Sequence, residues 1–185
     1  MLLNNYLKLK RETLLLILLI VLYNQKTYSQ ERYIDDIFTD VNIDSDVVYG
    51  NNTTVFPTLL GQMPTTQDLL MDIYTPSGDT ETNRPVVILL HTGSFLPAIL
   101  NGQATGGKSD NAIVEQCMQF AKKGYVAVAM GNRKGWNPTS TDQNVRTSTL
   151  LQAAYRGIQD AKAMVRFMRM TEAALGNPYG IDKDK

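Results

Sequence analysis

Residues that can support catalysis stand directly after a short apolar run. Val86–Leu90 leads into the loop 91–95, with the sequence His-Thr-Gly-Ser-Phe. A serine nucleophile needs a histidine base within hydrogen-bond reach and a third group that orients the base. Ser94 is the nearest candidate nucleophile and His91 is the only histidine, but neighbours on one loop rarely share a productive hydrogen bond. Because the sequence also contains no Gly-x-Ser-x-Gly elbow, we predict that it carries no complete catalytic triad.

A second segment matches the phosphate-binding pattern Gly-x4-Gly-Lys-Ser. It begins at Gly102 and ends with Lys108 and Ser109, and a helix is predicted to follow. That arrangement puts backbone N–H groups and a helix N-terminus around phosphates. The context opposes this interpretation, because the preceding strand ends about a dozen residues upstream and the next strand lacks an Asp to hold Mg²⁺. We favour a glycine-rich insertion and keep a nucleotide-binding protein as an alternative.

The elements that would position these residues are of mixed type. Val86–Leu90 predicts a strand buried on both faces of a parallel sheet. A second apolar run at 125–130 follows a predicted helix, which gives a right-handed strand, helix, strand unit. Alternation at 67–75 predicts a further strand, and 47–56 predicts a weak hairpin with its turn at 50–52. The fold class is therefore α/β.

Two helices are predicted from apolar periodicity and stop signals. The first is capped by Ser109 or Asp110 and ends at Gly124. Its apolar face comprises Ile113, Cys117, Phe120 and Ala121. The second runs from about residue 150 to 175 and stops at 176–178. The stripe predicted to face the sheet comprises Leu151, Ala154, Ile158, Ala161, Val165 and Met168.

Composition excludes several classes of function. Of the 185 residues, 43% are hydrophobic, and 18 basic residues balance 18 acidic ones. This balance gives no electrostatic reason to expect nucleic acid or an anionic membrane as a partner. The single cysteine, Cys117, excludes an intramolecular disulfide and a cysteine-based zinc site, and we interpret it as a small core residue. No cofactor or metal is expected.

Residues 1–29 have the pattern of a signal peptide. Lys8, Lys10 and Arg11 precede the apolar stretch 14–22, and small residues stand at Thr27 and Ser29. The stretch is shorter than the roughly 20 residues that span a bilayer, so an uncleaved anchor is the minor alternative. We expect cleavage after Ser29, a secreted or periplasmic protein and no stable membrane anchor. The mature chain would comprise an N-terminal lead-in with the weak hairpin at 30–66 and a main domain at 67–185.

Four segments, taken in order, resemble the esterase and lipase branch of the α/β-hydrolases. They are 71–76 (Met-Asp-Ile-Tyr-Thr-Pro), the strand into 91–95, 156–161 (Arg-Gly-Ile-Gln-Asp-Ala) and 179–182 (Tyr-Gly-Ile-Asp). Each is weak alone, but together they cover about residues 67–185 at natural spacing. The resemblance implies an α/β-hydrolase-like, mostly parallel sheet with antiparallel N-terminal strands and flanking helices. It also implies an incomplete domain, ending before the nucleophile strand.

The resemblance assigns roles to the loop after the third strand. In that family a His-Gly-Gly type loop donates backbone N–H groups to the oxyanion of the tetrahedral intermediate. By position, Gly93 and Ser94 are the candidate oxyanion-hole donors, and His91 is a structural residue that holds the loop. Thr92 stands where the family usually has glycine. Because a β-branched residue does not easily adopt a positive φ, the donor geometry is expected to differ there.

The implied function is an exported carboxylic ester hydrolase of the serine type, acting on a small-molecule or polymeric ester. Arg133, just after the fourth strand, is interpreted as a structural ion-pair partner of Asp160. Since the family places nucleophile, acid and base after a phrase like 179–182, this chain alone is expected to be inactive. A non-catalytic exported binding module is the second alternative, beside the nucleotide-binding protein.

Overall fold

The computed structural model describes residues 10–15, 30–55, 57–58, 61–97, 100 and 106–185. The chain divides into two units, 1–30 and 31–185. In the first unit residues 10–15 are helical, and most of the predicted signal peptide lies outside the described residues. No helix within the described ranges is long and apolar enough to cross a membrane.

Four strands form one mixed sheet in the second unit. They are β1 (Val41–Thr54), β2 (Thr65–Pro76), β3 (Val86–Leu90) and β4 (Val126–Met130), and their spatial order is β1-β2-β4-β3. The β1–β2 and β2–β4 pairs are antiparallel, whereas β3 and β4 are parallel. The predicted α/β class with antiparallel N-terminal strands is confirmed. Among the described residues β3–β4 is the one parallel pair of strands, and a single parallel bridge joins Arg84 to Ile181.

The two parallel strands differ in burial. Every residue of β4 is buried, because β4 lies between β2 and β3. Every residue of β3 is only half-buried, so the expectation that this strand is buried on both faces was wrong. The other edge of β3 is contacted by residues 181 and 185 near the start of the strand. Arg84, just before β3, forms a parallel bridge with Ile181, and the Val86 N–H donates to the Lys185 carbonyl at 3.2 Å.

The predicted hairpin within 47–56 is also wrong. Residues 50–52, interpreted as its turn, lie inside β1 and pair with residues 67–69 of β2. The register shifts between Asp44 and Val47 and again between Val48 and Gly50. These irregularities bend the strand without ending it, so the long hairpin joins β1 to β2 instead. Phe56 lies outside the described residues.

Helices α1 (Asn111–Lys122) and α2 (Gln143–Ala174) cover the sheet. On α1 the buried residues are Ile113, Cys117 and Ala121, which agree with the predicted face. They pack against Tyr74, Ala127 and Ala129. A second core lies between α2 and the alternate residues of β2 and β4, and comprises chiefly Met71, Ile73, Val126, Val128, Met130, Met164 and Met168.

The buried face of α2 differs from the predicted one. The buried residues are Ala153, Gly157, Asp160, Met164, Met168 and Thr171. Leu151 and Ile158, predicted to face the sheet, are 66% and 53% exposed. The physical reason is that Asp160 must reach Arg133 beneath the helix, which turns the neighbouring apolar positions outward. The helix also begins at Gln143, about two turns before the predicted start.

Candidate functional site

The loop after β3 contains three consecutive residues in the left-handed region. Gly93, Ser94 and Phe95 have φ values of 51°, 54° and 57°. Thr92 keeps a right-handed conformation, with φ −71° and ψ −35°. The β-branched residue thus avoids the positive φ that it adopts poorly, and the following residues take it instead.

The backbone of this loop offers a hydrogen-bond donor to a ligand. A right-handed residue followed by a left-handed one turns successive N–H groups toward a common point, a geometry that binds anions. Thr92 and Gly93 have this sequence of signs. The Phe95 N–H donates to the Thr92 carbonyl at 2.7 Å and the Leu96 N–H to the Gly93 carbonyl at 3.0 Å. The Ser94 N–H has no partner among the described residues, so it is available as a donor to a ligand.

His91 lies beside Asp110, whose carboxylate binds the backbone just before α1. Its Nδ1 is 3.2 Å from Oδ2 of Asp110, although Nδ1 lies outside hydrogen-bond geometry. The Asp110 carboxylate accepts the N–H groups of Gly106 and Gly107 at 2.8 and 3.0 Å. Within the described ranges the Ser94 hydroxyl makes no hydrogen bond, to His91 or to any other group. The arrangement therefore lacks the nucleophile and base contact that serine catalysis requires.

Arg133 and Asp160 form a buried ion pair between the end of β4 and α2. Arg133 is 5% exposed and Asp160 is 1% exposed. The guanidinium Nη2 and Nε lie 2.6 and 2.9 Å from Oδ1 of Asp160, and the Arg133 N–H donates to Oδ2 at 2.8 Å. Arg133 Nη1 also donates to the Thr53 carbonyl at 3.1 Å. This pair joins the end of β4 to α2 and β1.

Two residues that the sequence did not single out contact the loop directly. The Trp136 indole N–H donates to the Ser94 carbonyl at 2.8 Å. The Gly135 N–H donates to the Phe95 carbonyl at 2.7 Å. The sequence signal for them was their position shortly after the strand that ends at Met130. Because the carboxyl ends of parallel strands share one edge of a sheet, residues that follow this strand lie near the loop that follows β3.

Lys108 of the phosphate-loop pattern is already engaged. Its Nζ lies 2.6 Å from Oδ1 of Asp72 and 2.8 Å from Oδ1 of Asp46. Burial disfavours the charged lysine, but the hydrogen bonds to these carboxylates outweigh it and raise the pKa of Lys108. A phosphate at this lysine would approach two negative charges. Gly102 and the rest of 101–105 lie outside the described residues.

The remaining groups of chemical interest are the single cysteine and the side chains that could bind a metal. Cys117 is buried in α1, and burial raises the pKa of its thiol to about 12, so the reactive thiolate is rare near neutral pH. Across the part of the chain that the structure describes, no group of three His, Cys, Asp or Glu side chains is placed to hold a metal ion.

Comparisons with known proteins give structural likenesses only. No protein family and no curated protein matches the sequence. Brefeldin A esterase, a bacterial homologue of human hormone-sensitive lipase, superposes with a TM-score of 0.44 at 14% identity, over 80% of this chain and 32% of that one. Esterase B from Lactobacillus rhamnosis gives 0.42 at 18% identity, over 93% and 41%. Tannin acyl hydrolase gives 0.43 at 18% identity, over 77% and 28%. The chain thus spans less than half the length of each of these proteins.

Proposed function

We propose that this chain contributes the oxyanion-binding part of an exported carboxylic ester hydrolase of the α/β-hydrolase type. The observation that carries the proposal is the loop at the carboxyl end of β3. There a right-handed Thr92 precedes the left-handed Gly93, and the Ser94 N–H has no partner in the part of the chain that the structure describes. The order of the four segments that resemble the esterase and lipase branch supports the same assignment.

The chemistry assigned to the loop is stabilisation of charge on a carbonyl oxygen. When a nucleophile attacks an ester, negative charge develops on that oxygen, and N–H donors fixed in advance lower the barrier. Gly93 and Ser94 are the proposed donors, and His91, whose Nδ1 lies 3.2 Å from Oδ2 of Asp110, is the proposed structural residue at the start of the loop. The 185 residues contain one histidine and no Gly-x-Ser-x-Gly. We therefore propose that the nucleophile, acid and base lie on a polypeptide segment outside them.

The first test measures the chain by itself. We expect purified residues 30–185 to hydrolyse short p-nitrophenyl esters no faster than a matched blank protein, because no described serine contacts a base. The control is Ser94→Ala, which removes the nearest hydroxyl. A rate that survives repurification and disappears in Ser94→Ala would identify Ser94 as a nucleophile and overturn this assignment.

The second test uses the complete reading frame of the gene that encodes this chain. If a Gly-x-Ser-x-Gly follows, we expect esterase activity that falls by about 100-fold in kcat in Gly93→Val, with little change in KM. Valine cannot readily adopt the φ of 51° at this position, so the donor moves. Thr92→Val is the matched control, because Thr92 has a φ that valine tolerates, and it should keep the wild-type rate. An unaffected Gly93→Val enzyme would contradict the proposed donor.

The exported location and the ester substrate are parts of the same proposal. The signal peptide pattern of residues 1–29 supports export, and the balanced charge gives no competing nucleic-acid partner. Fractionation of cells that express the full chain tests the location. Mass spectrometry of the exported product should give a mature N-terminus at Gln30, and retention of residues 1–29 in the membrane fraction would favour the uncleaved anchor.

A further inference from the structure

The left-handed run in the loop needs an external restraint. Ser94 and Phe95 both carry a Cβ, and such residues rarely adopt a positive φ without contacts that impose it. Hydrogen bonds within the loop do not settle the conformation, since the contacts from Phe95 to Thr92 and from Leu96 to Gly93 close only a short turn. The restraint must therefore come from the surroundings.

The segment after β4 supplies two contacts to the carbonyls of this run. The Trp136 indole donates to the Ser94 carbonyl at 2.8 Å, and the Gly135 N–H donates to the Phe95 carbonyl at 2.7 Å. Both acceptors belong to the two residues whose conformation is unfavourable. Holding the two carbonyls toward 135–136 fixes the Ser94–Phe95 and Phe95–Leu96 peptide planes. The first of these planes is joined through the Ser94 Cα to the plane that carries the Ser94 N–H, so it limits the directions in which that N–H can point.

Helix α2 contacts the segment 135–136 that holds the loop. Arg156 donates from Nη2 to the Gly135 carbonyl. The next residue, Gly157, lies close to the loop: a Cβ there would stand 3.7 Å from Cε1 of Phe95 and 3.3 Å from Nδ2 of Asn132. A continuous set of contacts therefore runs from α2 through 135–136 to the loop after β3.

We propose that Trp136 is a positioning residue, which together with Arg156 and Gly135 holds Ser94 and Phe95 in the left-handed conformation and so directs the Ser94 N–H toward a ligand oxygen. The identity of that ligand, the oxyanion of an ester reaction, rests on the proposed function. The restraint on the loop does not depend on it and can be measured without substrate.

Amide hydrogen exchange of the full chain, followed by NMR, tests the restraint. In Trp136→Phe we expect the Phe95 amide to exchange about tenfold faster, because loss of one well-placed hydrogen bond lowers the local opening free energy. Cys117, in the middle of α1, provides the control amide and should not change. Arg156→Met should give a smaller acceleration at Phe95, and Arg156→Lys, which keeps a donor for the Gly135 carbonyl, should restore part of the protection.

A glycine substitution separates positioning from general stability. Glycine adopts positive φ about as readily as negative φ, so Ser94→Gly removes much of the need for the restraint. In the Ser94→Gly background, Trp136→Phe should therefore accelerate Phe95 exchange much less than in the wild type. Since Trp136 is the only tryptophan, its indole N–H resonance also reports the contact without ambiguity, and it should be protected from exchange in the wild-type chain.

Each outcome decides the inference. It is overturned if Trp136→Phe leaves Phe95 exchange unchanged, if Cys117 accelerates to the same extent, if the glycine background gives no relief, or if wild-type Phe95 exchanges at the unfolded rate. A protected loop in a complete protein that lacks esterase activity would instead refute the proposed function and leave the positioning role of Trp136 in place.

Discussion

Helices α1 and α2 pack on opposite faces of one sheet, but they are fixed by different kinds of contact. Residues 126, 128 and 130 of β4 face α2, and the alternate residues 127 and 129 face α1. On α1 all three buried side chains are apolar or a thiol. On α2 the buried face includes a glycine, a threonine and the carboxylate of Asp160.

This difference explains why one helix obeys its apolar periodicity and the other does not. A helix that contacts a sheet only through apolar groups gains most when its apolar stripe is buried, as α1 does. Removing one partner of a buried ion pair costs more than leaving one aliphatic side chain in water. The Arg133–Asp160 pair therefore determines the rotation of α2, and Ile158 remains exposed.

The largest expected effect comes from breaking this pair. Asp160→Ala leaves the Arg133 guanidinium buried without its carboxylate, so we expect the free energy of unfolding to fall by about 3–5 kcal/mol. Urea denaturation followed by circular dichroism measures the change. The double variant Arg133→Met/Asp160→Leu, which replaces both charges with apolar groups, should recover much of the loss. A loss below about 1 kcal/mol for Asp160→Ala would mean that the pair does not fix α2.

The same substitution on each helix tests the comparison directly. Ile113 on α1 is 8% exposed, whereas Ile158 on α2 is 53% exposed. We expect Ile113→Ala to cost about 2–3 kcal/mol, because it removes buried methyl groups and leaves a cavity, and Ile158→Ala to cost less than about 0.5 kcal/mol. Denaturation midpoints at constant slope give both values. Equal losses at the two positions would restore the predicted apolar stripe of α2 and contradict the observed rotation.

The same contrast governs what the sequence could reveal. Strands β3 and β4, helix α1 and the stop at Gly176 follow from apolar runs and turn residues that are local in the chain. The rotation of α2 and the strained loop depend on contacts between distant residues. Thr92 signalled an altered loop, but the positive φ of Ser94 depends on Trp136, 42 residues away, which no local pattern contains.

Asp79, on the segment that precedes β3, forms ion pairs with two arginines. Its carboxylate accepts Nη2 and Nη1 of Arg32 at 2.5 and 3.2 Å and lies 3.5 Å from Arg84. Burial alone would raise the pKa of Asp79, but the hydrogen bonds from Arg32 and from the Glu81 N–H, with the positive charges of Arg32 and Arg84, together outweigh it and lower that pKa. We therefore expect Asp79→Asn to cost about 1–2 kcal/mol at pH 7.

The pH dependence of this effect has a definite sign. Because the folded-state pKa of Asp79 is below the unfolded value of 3.8, its contribution is fully present above that value and is lost as the pH falls through the folded-state pKa. The difference in unfolding free energy between wild type and Asp79→Asn should therefore be constant from pH 5 to 7 and shrink under more acidic conditions. A difference that grows on acidification would contradict the depressed pKa.

The smallest expected effect is the change in Tm when ATP and Mg²⁺ are added. If the phosphate-loop alternative were right, nucleotide bound at the segment before α1 would stabilise the folded protein. A ligand at 100 times its Kd stabilises a folded protein by about 2.7 kcal/mol, so millimolar ATP with Mg²⁺ would reveal micromolar binding as a clear rise in Tm. We expect no rise, in the wild type or in Lys108→Ala, because the Lys108 ammonium lies between the carboxylates of Asp46 and Asp72, which repel phosphate.

Lys108→Ala can lower Tm by removing these ion pairs, so the comparison is made within each protein, with and without nucleotide. Ser109→Ala, which leaves the ion pairs in place and removes the hydroxyl that such a loop offers to Mg²⁺, is the matched control. An ATP-dependent rise in Tm that both substitutions abolish would make the nucleotide-binding alternative the better assignment.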